Sequence, residues 1–244
     1  MLKIDKGRIR AASGKVGAEL DVAITQVGTP SILKTARFGY DGKGQARLTK
    51  AEDGDAAWDA IDGKSAILEA MVTFDHEFSL IVARDQRGQI AFWDAPKNVH
   101  KDGVLAASTV PAPPAVAEQI PAARALARRI AEKLDYIGVF AIEFFASADG
   151  PIFNEMAPRV HNSGHWTIEG ALTSQFENHI RAVCGLPLGS TRLAAVAVEM
   201  DNIIGPDAGN WAQYLSGSDT HLHLYNKGEA RLGRKMGHVT RLIF

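Results

Sequence analysis

A single cysteine, Cys184, leaves this chain of 244 residues without any internal disulfide. That excludes a disulfide-stapled scaffold and fits a reducing cytoplasm. Cys184 falls late in an expected helix among apolar neighbours, which makes it a packing residue and a poor nucleophile. An excess of one charge is missing too. Lys and Arg total 27 against 28 Asp and Glu, a net charge of −1, which excludes the electrostatic footprint of a nucleic-acid binder. No apolar run approaches the ~20 residues of a membrane span. The opening Met1-Leu2-Lys3-Ile4-Asp5-Lys6 is charged, and no apolar core follows it as in a signal peptide. Internal repeats are absent.

What remains has ordinary globular proportions, 46% hydrophobic and 23% charged, at a length suited to one large or two modest domains. Short strands are expected at 31–34, 46–48, 65–69, 77–83 and 89–93, the last two joined by the turn Asp85-Gln86-Arg87-Gly88. Residues 21–25 end a helix, and 51–62 form another. Ile120, Ala123, Ala127, Ile130 and Leu134 recur at 3,4,3,4 spacing, a helix with Pro121 in its first turn and its apolar stripe turned inward. Val110-Pro111-Ala112-Pro113-Pro114 reads as a connector. A further helix covers 174–184, and the tail reads as strands at 194–201, 221–225 and 237–244. The fold class is α+β with mostly antiparallel strands.

The densest chemistry lies between 138 and 166. A hairpin centred on Ala148-Asp149-Gly150 places Glu143 opposite Glu155 and residue 145 opposite 153. Directly opposed side chains have Cβ atoms ~4.5–5.5 Å apart, and like charges there repel. Phe140, Ile142, Phe144 and Phe145 mark a buried strand, so the two acids call for a cation. Mg²⁺ keeps several waters and needs only one or two carboxylates plus phosphate oxygens. Strict alternation points Asn154 to the opposite face. The following run, Asn154-Glu155-Met156-Ala157-Pro158-Arg159-Val160-His161-Asn162-Ser163-Gly164-His165-Trp166, offers Arg159 as a fork for phosphate or carboxylate. His161 or His165 is suited to orient substrates or move protons. Without a helical i,i+4 pair or a cysteine partner, the histidines have no metal pattern.

Elsewhere the signals are weaker one by one. Gly39, Gly42 and Gly44 around Lys43, between two strands, can turn backbone N–H groups toward phosphate oxygens. The spacing is neither a P-loop nor a dinucleotide fingerprint. Lys34 can place an ammonium over the same phosphates, and Glu69 and Glu77 can bind ribose hydroxyls. The tail carries His221, His223, Lys227, Arg231, Arg234, Lys235 and His238, a local basic excess suited to a phosphorylated small molecule. No aromatic interleaving of the kind that stacks bases accompanies it.

Taken as a set, Ile32-Leu33-Lys34, Gly39 to Gln45, Glu69 with Glu77, Asn98-Val99-His100, Glu143, Asn154 to Trp166, Ser174-Gln175-Phe176-Glu177 and Gly233-Arg234-Lys235-Met236-Gly237-His238 resemble the ATP-grasp superfamily. Within it they resemble the 5-(carboxyamino)imidazole ribonucleotide synthase family, over about residues 28–244. The resemblance implies an ATP-grasp fold with a partial lid subdomain at 1–68, an antiparallel-sheet catalytic subdomain at 69–189 and a small β-rich C-terminal domain at 190–244. It implies that ATP is surrounded by Lys34, Gly39, Tyr40, Asp41, Gly42, Lys43, Gly44, Gln45, Glu69, Ala70, Met71, Val72, Glu77, His100, Asn154 and Glu155. Mg²⁺ falls to Glu143 and Glu155. Tyr40 and Asp41, with the catalytic set Arg159, His161, Lys227 and Arg234, face aminoimidazole ribonucleotide.

The implied enzyme is an ATP-dependent carbon–nitrogen ligase of purine biosynthesis that carboxylates this ribonucleotide with bicarbonate through carboxyphosphate, in the cytoplasm and as a homodimer. No nucleic-acid or membrane partner is implied. Two departures stand out. The family's N-terminal open-sheet domain, which contributes to the ribonucleotide site and the dimer contact, has no counterpart in these residues, and Ala36 replaces a frequent basic residue. The alternatives are an ATP- and Mg²⁺-binding module without turnover, or a sibling such as a formate-dependent glycinamide ribonucleotide transformylase.

Overall fold

A computed structural model describes residues 6–8, 17–37 and 43–244. The chain divides into two compact units, Met1–Thr73 and Phe74–Phe244. In the first, the elements are β1 (Lys6–Arg8), α1 (Gly17–Val27), β2 (Ser31–Thr35), β3 (Gln45–Leu48), α2 (Gly54–Ala60) and β4 (Ala66–Ala70). The strands form an antiparallel sheet in the order β1-β4-β2-β3. Period-two alternation separates its faces. Leu33, Leu48, Ala66 and Leu68 pack against Leu20, Ala23 and Ile24 of α1 and Ala57 and Trp58 of α2. Lys34 and Glu69, out of phase with those apolar residues, remain half-buried.

The second unit is built on β5 (His76–Arg84), β6 (Ile90–Phe92), β7 (Lys97–Lys101), β8 (Val104–Val110), β9 (Gly138–Ser147), β10 (Gly150–Ala157), β11 (Ala197–Ile204), β12 (Thr220–Leu224) and β13 (Lys235–Ile243). They make one nine-stranded antiparallel sheet in the order β10-β9-β5-β7-β8-β11-β13-β12, with β6 paired to β5. Its helices are α3 (Pro114–Ala117), α4 (Ile120–Lys133), α5 (Thr167–Gly170) and α6 (Gln175–Val183). The β5–β6 turn forms where expected because Asp85 accepts hydrogen bonds from the N–H groups of Arg87 and Gln89, both at 2.9 Å.

Alternation along β5 and β9 gives this sheet two buried faces. Phe78, Leu80, Val82, Phe140, Ile142 and Phe144 meet Ala123, Ala127 and Ala131 of α4. The small alanines let the helix approach the strands. Phe78 and Phe144 stack with centroids 5.2 Å apart, worth roughly 0.5–1.5 kcal/mol beyond area burial. The inward stripe ends on Ala131 and leaves Leu134 exposed, a rotation away from the expected stripe. On the other face Ile81, Val139, Ala141, Trp93, Val198 and Met200 pack with Trp166. Ser174 caps α6, its hydroxyl accepting from the Glu177 N–H at 3.1 Å.

Strands β7 and β8, which precede the proline-rich connector, were not among the expected strands. The tail is β-rich as expected, and its β11 pairs with β8, so it extends the nine-stranded sheet. One expectation is corrected. Cys184 is exposed rather than packed among apolar side chains.

Candidate active site

The face of the second sheet that carries Trp166 turns polar toward β10. Glu77 and Ser79 on β5, Asn98 and His100 on β7, Glu143 on β9 and Glu155 on β10 share it by register: Ser79 opposes Glu143, Glu143 opposes Glu155, and Glu77 opposes Asn98. The acidic opposition is therefore as expected, but the route to it differs. The turn holds two residues, with Ser147 opposite Gly150, so Phe145 faces Ile152 and not residue 153. The register then shifts between Phe153 and Glu155, leaving Asn154 as the extra residue of a β-bulge. Bulges re-aim side chains beside functional sites. Here the bulge turns Glu155 onto the face of Glu143 and takes Asn154 out of strict alternation.

The two acids differ in setting. The Glu143 side chain is only 14% exposed, whereas Glu155 is exposed. Burial first, and the Glu155 charge second, push the Glu143 carboxyl up to about 7 against the opposing fields of His100 and Lys235. An acid that resists ionisation beside a second acid has uncompensated negative potential around it. Hard oxygen donors in that field fit Mg²⁺. Among the described residues no cluster of three or more His, Cys, Asp or Glu side chains is arranged for a metal ion. A cation completing its shell with water and phosphate oxygens requires no such cluster.

Histidines line the same region. His100 is hydrogen-bonded through Nδ1 to Glu77; burial opposes its charge, but the bond to Glu77 prevails and its pKa is raised. His161 Nε2 lies 3.6 Å from Glu143 Oε1. Burial, then the charges of Arg159 and Lys235, lower His161 to about 3. Burial and Lys235 lower His165 to about 4. Both rings are neutral at physiological pH, which suits them to orient partners and not to donate a proton as imidazolium. His165 Nδ1 also contacts the Tyr225 hydroxyl at 2.9 Å, and that hydroxyl contacts His238 Nδ1 at 2.7 Å.

The remaining expected residues are placed as follows. In the first unit, Lys34 Nζ and Glu69 Oε2 form an ion pair at 2.9 Å. Lys43 and Gln45 are exposed at the start of β3, and the Gly44 carbonyl accepts the Thr35 N–H at 2.7 Å. Gly39, Tyr40, Asp41 and Gly42 lie outside the described residues. Ala70 ends β4, and the Met71 N–H donates to the Pro30 carbonyl at 3.0 Å, with Val72 next in line. In the second unit, Arg159 is exposed and its Nη1 donates to the Val160 carbonyl at 2.9 Å. Lys227 and Arg234 are exposed between β12 and β13. Lys227 Nζ sits 5.1 Å from the Tyr225 ring centroid, and neither residue is among the charges that shift Glu143 or His161.

Sequence reasoning counted Lys235 only within the basic tail and gave it no role of its own, yet its field reaches Glu143, His100, His161 and His165. Alternation with buried Met236 was the available signal. It also gave no role to Gln175. The buried Gln175 amide clamps the backbone of residue 161, accepting from its N–H at 2.9 Å and donating to its carbonyl at 2.7 Å. Gly164 permits this approach: a Cβ there would lie 2.7 Å from Gln175 Oε1.

The ATP-grasp domain model matches residues 9–176, and the phosphoribosylaminoimidazole carboxylase C-terminal domain model matches residues 199–243. The chain is 50% identical to N5-carboxyaminoimidazole ribonucleotide synthase of Brucella melitensis over 91% of its own length and 62% of that protein. It is 46% identical to N5-carboxyaminoimidazole ribonucleotide synthetase from Thermus thermophilus, with a TM-score of 0.82, covering 93% of this chain and 60% of that one. A synthase from Aspergillus clavatus, solved with ADP and 5-aminoimidazole ribonucleotide, is 31% identical with a TM-score of 0.88, covering 99% of this chain and 64% of that one. The chain thus spans about 60% of the length of such relatives. With the domain model matching over more than half of the residues, the chain belongs to the ATP-grasp family.

Proposed function

We propose that this chain carries the nucleotide and metal machinery of an ATP-dependent ligase that carboxylates 5-aminoimidazole ribonucleotide with bicarbonate in purine biosynthesis. The observation that carries this reading is the bulge-enforced opposition of Glu143 and Glu155 beside neutral His161. The likeness to N5-carboxyaminoimidazole ribonucleotide synthases supports the choice of substrate. Glu143 and Glu155 would hold Mg²⁺. Glu77, His100, Asn154 and Glu155 in the second unit, and Lys34, Gly39 to Gln45 and Glu69 to Val72 in the first, are assigned to ATP. Tyr40, Asp41, Arg159, His161, Lys227 and Arg234 are assigned to the ribonucleotide.

ATP would transfer its γ-phosphoryl group to bicarbonate and leave ADP; the carboxyphosphate would break down to CO₂ and phosphate, and the substrate amine would add to CO₂ and lose a proton to give the carbamate. Phosphoryl transfer demands positioning and charge neutralisation more than covalent help. Glu143 and Glu155 would hold the cation, and Lys34, paired with Glu69, would add positive charge for the phosphates. His161, neutral and clamped through its backbone by Gln175, holds its ring at the edge of the acidic pair. The same reading divides the chain into a partial lid at 1–68, a catalytic part at 69–189 and a C-terminal part at 190–244. It places the protein in the cytoplasm as a homodimer; no described helix is long and apolar enough to cross a membrane.

Calorimetric titration with ADP tests the metal assignment: binding is expected with Mg²⁺ and not without it, and metal-independent binding would sink it. A coupled assay of ADP release with bicarbonate and aminoimidazole ribonucleotide tests turnover. Because the chain spans about 60% of its relatives, a binding module without turnover is the second reading, and substrate-dependent ADP release rules it out. Activity appearing only with formate and glycinamide ribonucleotide would instead assign the sibling reaction.

A further inference from the structure

Behind the acidic pair runs a continuous line of buried side-chain hydrogen bonds that the binding roles above leave unused. Ser108 Oγ on β8 donates to Asn98 Oδ1 on β7 at 2.8 Å. Asn98 Nδ2 donates to Ser79 Oγ on β5 at 3.1 Å, and Ser79 Oγ donates to Ser163 Oγ at 2.8 Å. Ser163 Oγ lies 2.9 Å from His161 Nδ1. All four polar side chains before the histidine belong to buried residues, none more than 4% exposed.

The direction of this line is anchored at the histidine end. Nδ1 of His161 caps the short 3₁₀ turn Asn162–Gly164 by accepting the backbone N–H of Ser163 at 3.3 Å. That contact is long and shares the single lone pair of Nδ1 with the Ser163 hydroxyl at 2.9 Å, so it sets the sense of the line, while the shorter hydroxyl bond holds the tautomer. Ser163 is then obliged to accept from Ser79, Ser79 from Asn98, and the Asn98 carbonyl from Ser108. Each hydroxyl gives one proton and each step uses it in the same sense. A neutral imidazole with Nδ1 filled by acceptance carries its proton on Nε2, the nitrogen that faces Glu143 Oε1 at 3.6 Å.

We propose that Ser108, Asn98, Ser79 and Ser163 form a one-way positioning relay that fixes His161 as the Nε2–H tautomer, making it a hydrogen-bond donor toward the Glu143 edge of the site. The relay explains why two inward positions of neighbouring strands, Asn98 and Ser108, are polar inside a core. It deepens the reading of His161 as a site residue and rests on that reading for its consequence. The tautomer itself is readable without turnover.

The test is long-range ¹H–¹⁵N correlation spectroscopy of the histidine rings in the full chain, with His161 assigned by His161→Gln. In the parent protein His161 should show a protonated, pyrrole-type Nε2 and a bare, pyridine-type Nδ1. Ser79→Ala, which frees the Ser163 hydroxyl to turn, should move both nitrogens toward the tautomeric average. Ser79→Thr, which keeps the hydroxyl, should restore the parent pattern. A protonated Nδ1 in the parent overturns the relay, and so does an unchanged His161 in folded Ser79→Ala. If Ser79→Ala does not fold, the parent spectrum and Ser79→Thr decide the matter. Mg²⁺-dependent nucleotide binding is measured separately, so failure of the relay and failure of the site assignment appear in different experiments.

Discussion

Replacing Glu143 with Gln should stabilise the metal-free protein at alkaline pH while removing its metal binding. Glu143 is buried, then opposed by Glu155, and its carboxyl stands at about 7 against an ordinary value of 4.5. At about 1.4 kcal/mol for each tenfold change in proton affinity, that shift corresponds to roughly 3 kcal/mol. The sign follows from which state holds the proton longer. Below 4.5 the group is protonated in both folded and unfolded chains and contributes nothing. Between 4.5 and 7 the unfolded chain ionises first, so folding loses stability as pH rises; above 7 the loss is complete. Glutamine has the same shape and cannot ionise. Urea unfolding at about pH 4.5 and about pH 8.5, with chelator present, should therefore show Glu143→Gln matching the parent in acid and exceeding it by up to roughly 3 kcal/mol in base. The fluorescence of Trp93 and Trp166, both buried in the second unit, follows the transition. Mg²⁺ with ADP should restore the parent's stability in base and leave the variant unaffected. A variant with the parent's pH dependence would refute the claim that the acidic pair is held together against its own repulsion.

Three other perturbations probe the same site. Deleting Asn154 removes the extra residue and leaves Glu155 paired with Glu143 in an unbroken ladder, so Mg²⁺-dependent ADP binding should persist in calorimetry; loss of binding with the sheet intact in circular dichroism would show that the bulge itself shapes the site. Gln175→Ala removes both bonds that clamp residue 161 and should cost roughly 2 kcal/mol in urea unfolding; Gln175→Glu, which keeps the acceptor but sets a buried carboxylate against the residue-161 carbonyl, should cost at least as much at neutral pH. Glu77→Gln removes the partner that raises His100, so NMR titration should find the His100 pKa lower. The stability this pair adds below the ordinary histidine value, which is lost as pH rises through the raised one, should vanish with it.

The acidic pair was legible in the sequence, yet the hairpin register behind it was not. Counting a three-residue turn at 148–150 adds one position too many, and overlooking the Asn154 bulge omits one. The two errors cancel at Glu143 and Glu155 but not at Phe145. A period-two pattern carries no mark of an inserted residue, because the insertion changes the pairing partner without changing residue type. The long helix at 120–133 was readable, since its repeat is local and sustained. Its final turn was misjudged because Leu134 is more apolar than Ala131, while the helix ends at Lys133 and buries Ala131, leaving Leu134 exposed as its C-cap.

Strands β7 and β8 were hidden for a reason tied to function. Lys97–Lys101 and Val104–Val110 fail as apolar alternations because Asn98 and Ser108 occupy inward positions that a plain core would fill with aliphatic groups. Burying two such residues without partners would cost several kcal/mol. Ser108 is satisfied by Asn98, Asn98 also by Ser79 on the adjacent β5, and Ser79 in turn by Ser163 from the loop after β10. Those partners are distant in the chain, so neither composition nor spacing can announce them. The same long-range dependence applies to Gln175, which looks like any polar residue near a helix start until its amide meets the backbone of His161. Residues whose chemistry is carried by charge were therefore visible one at a time, whereas those that aim the charges exist as functional groups only after the sheet has assembled.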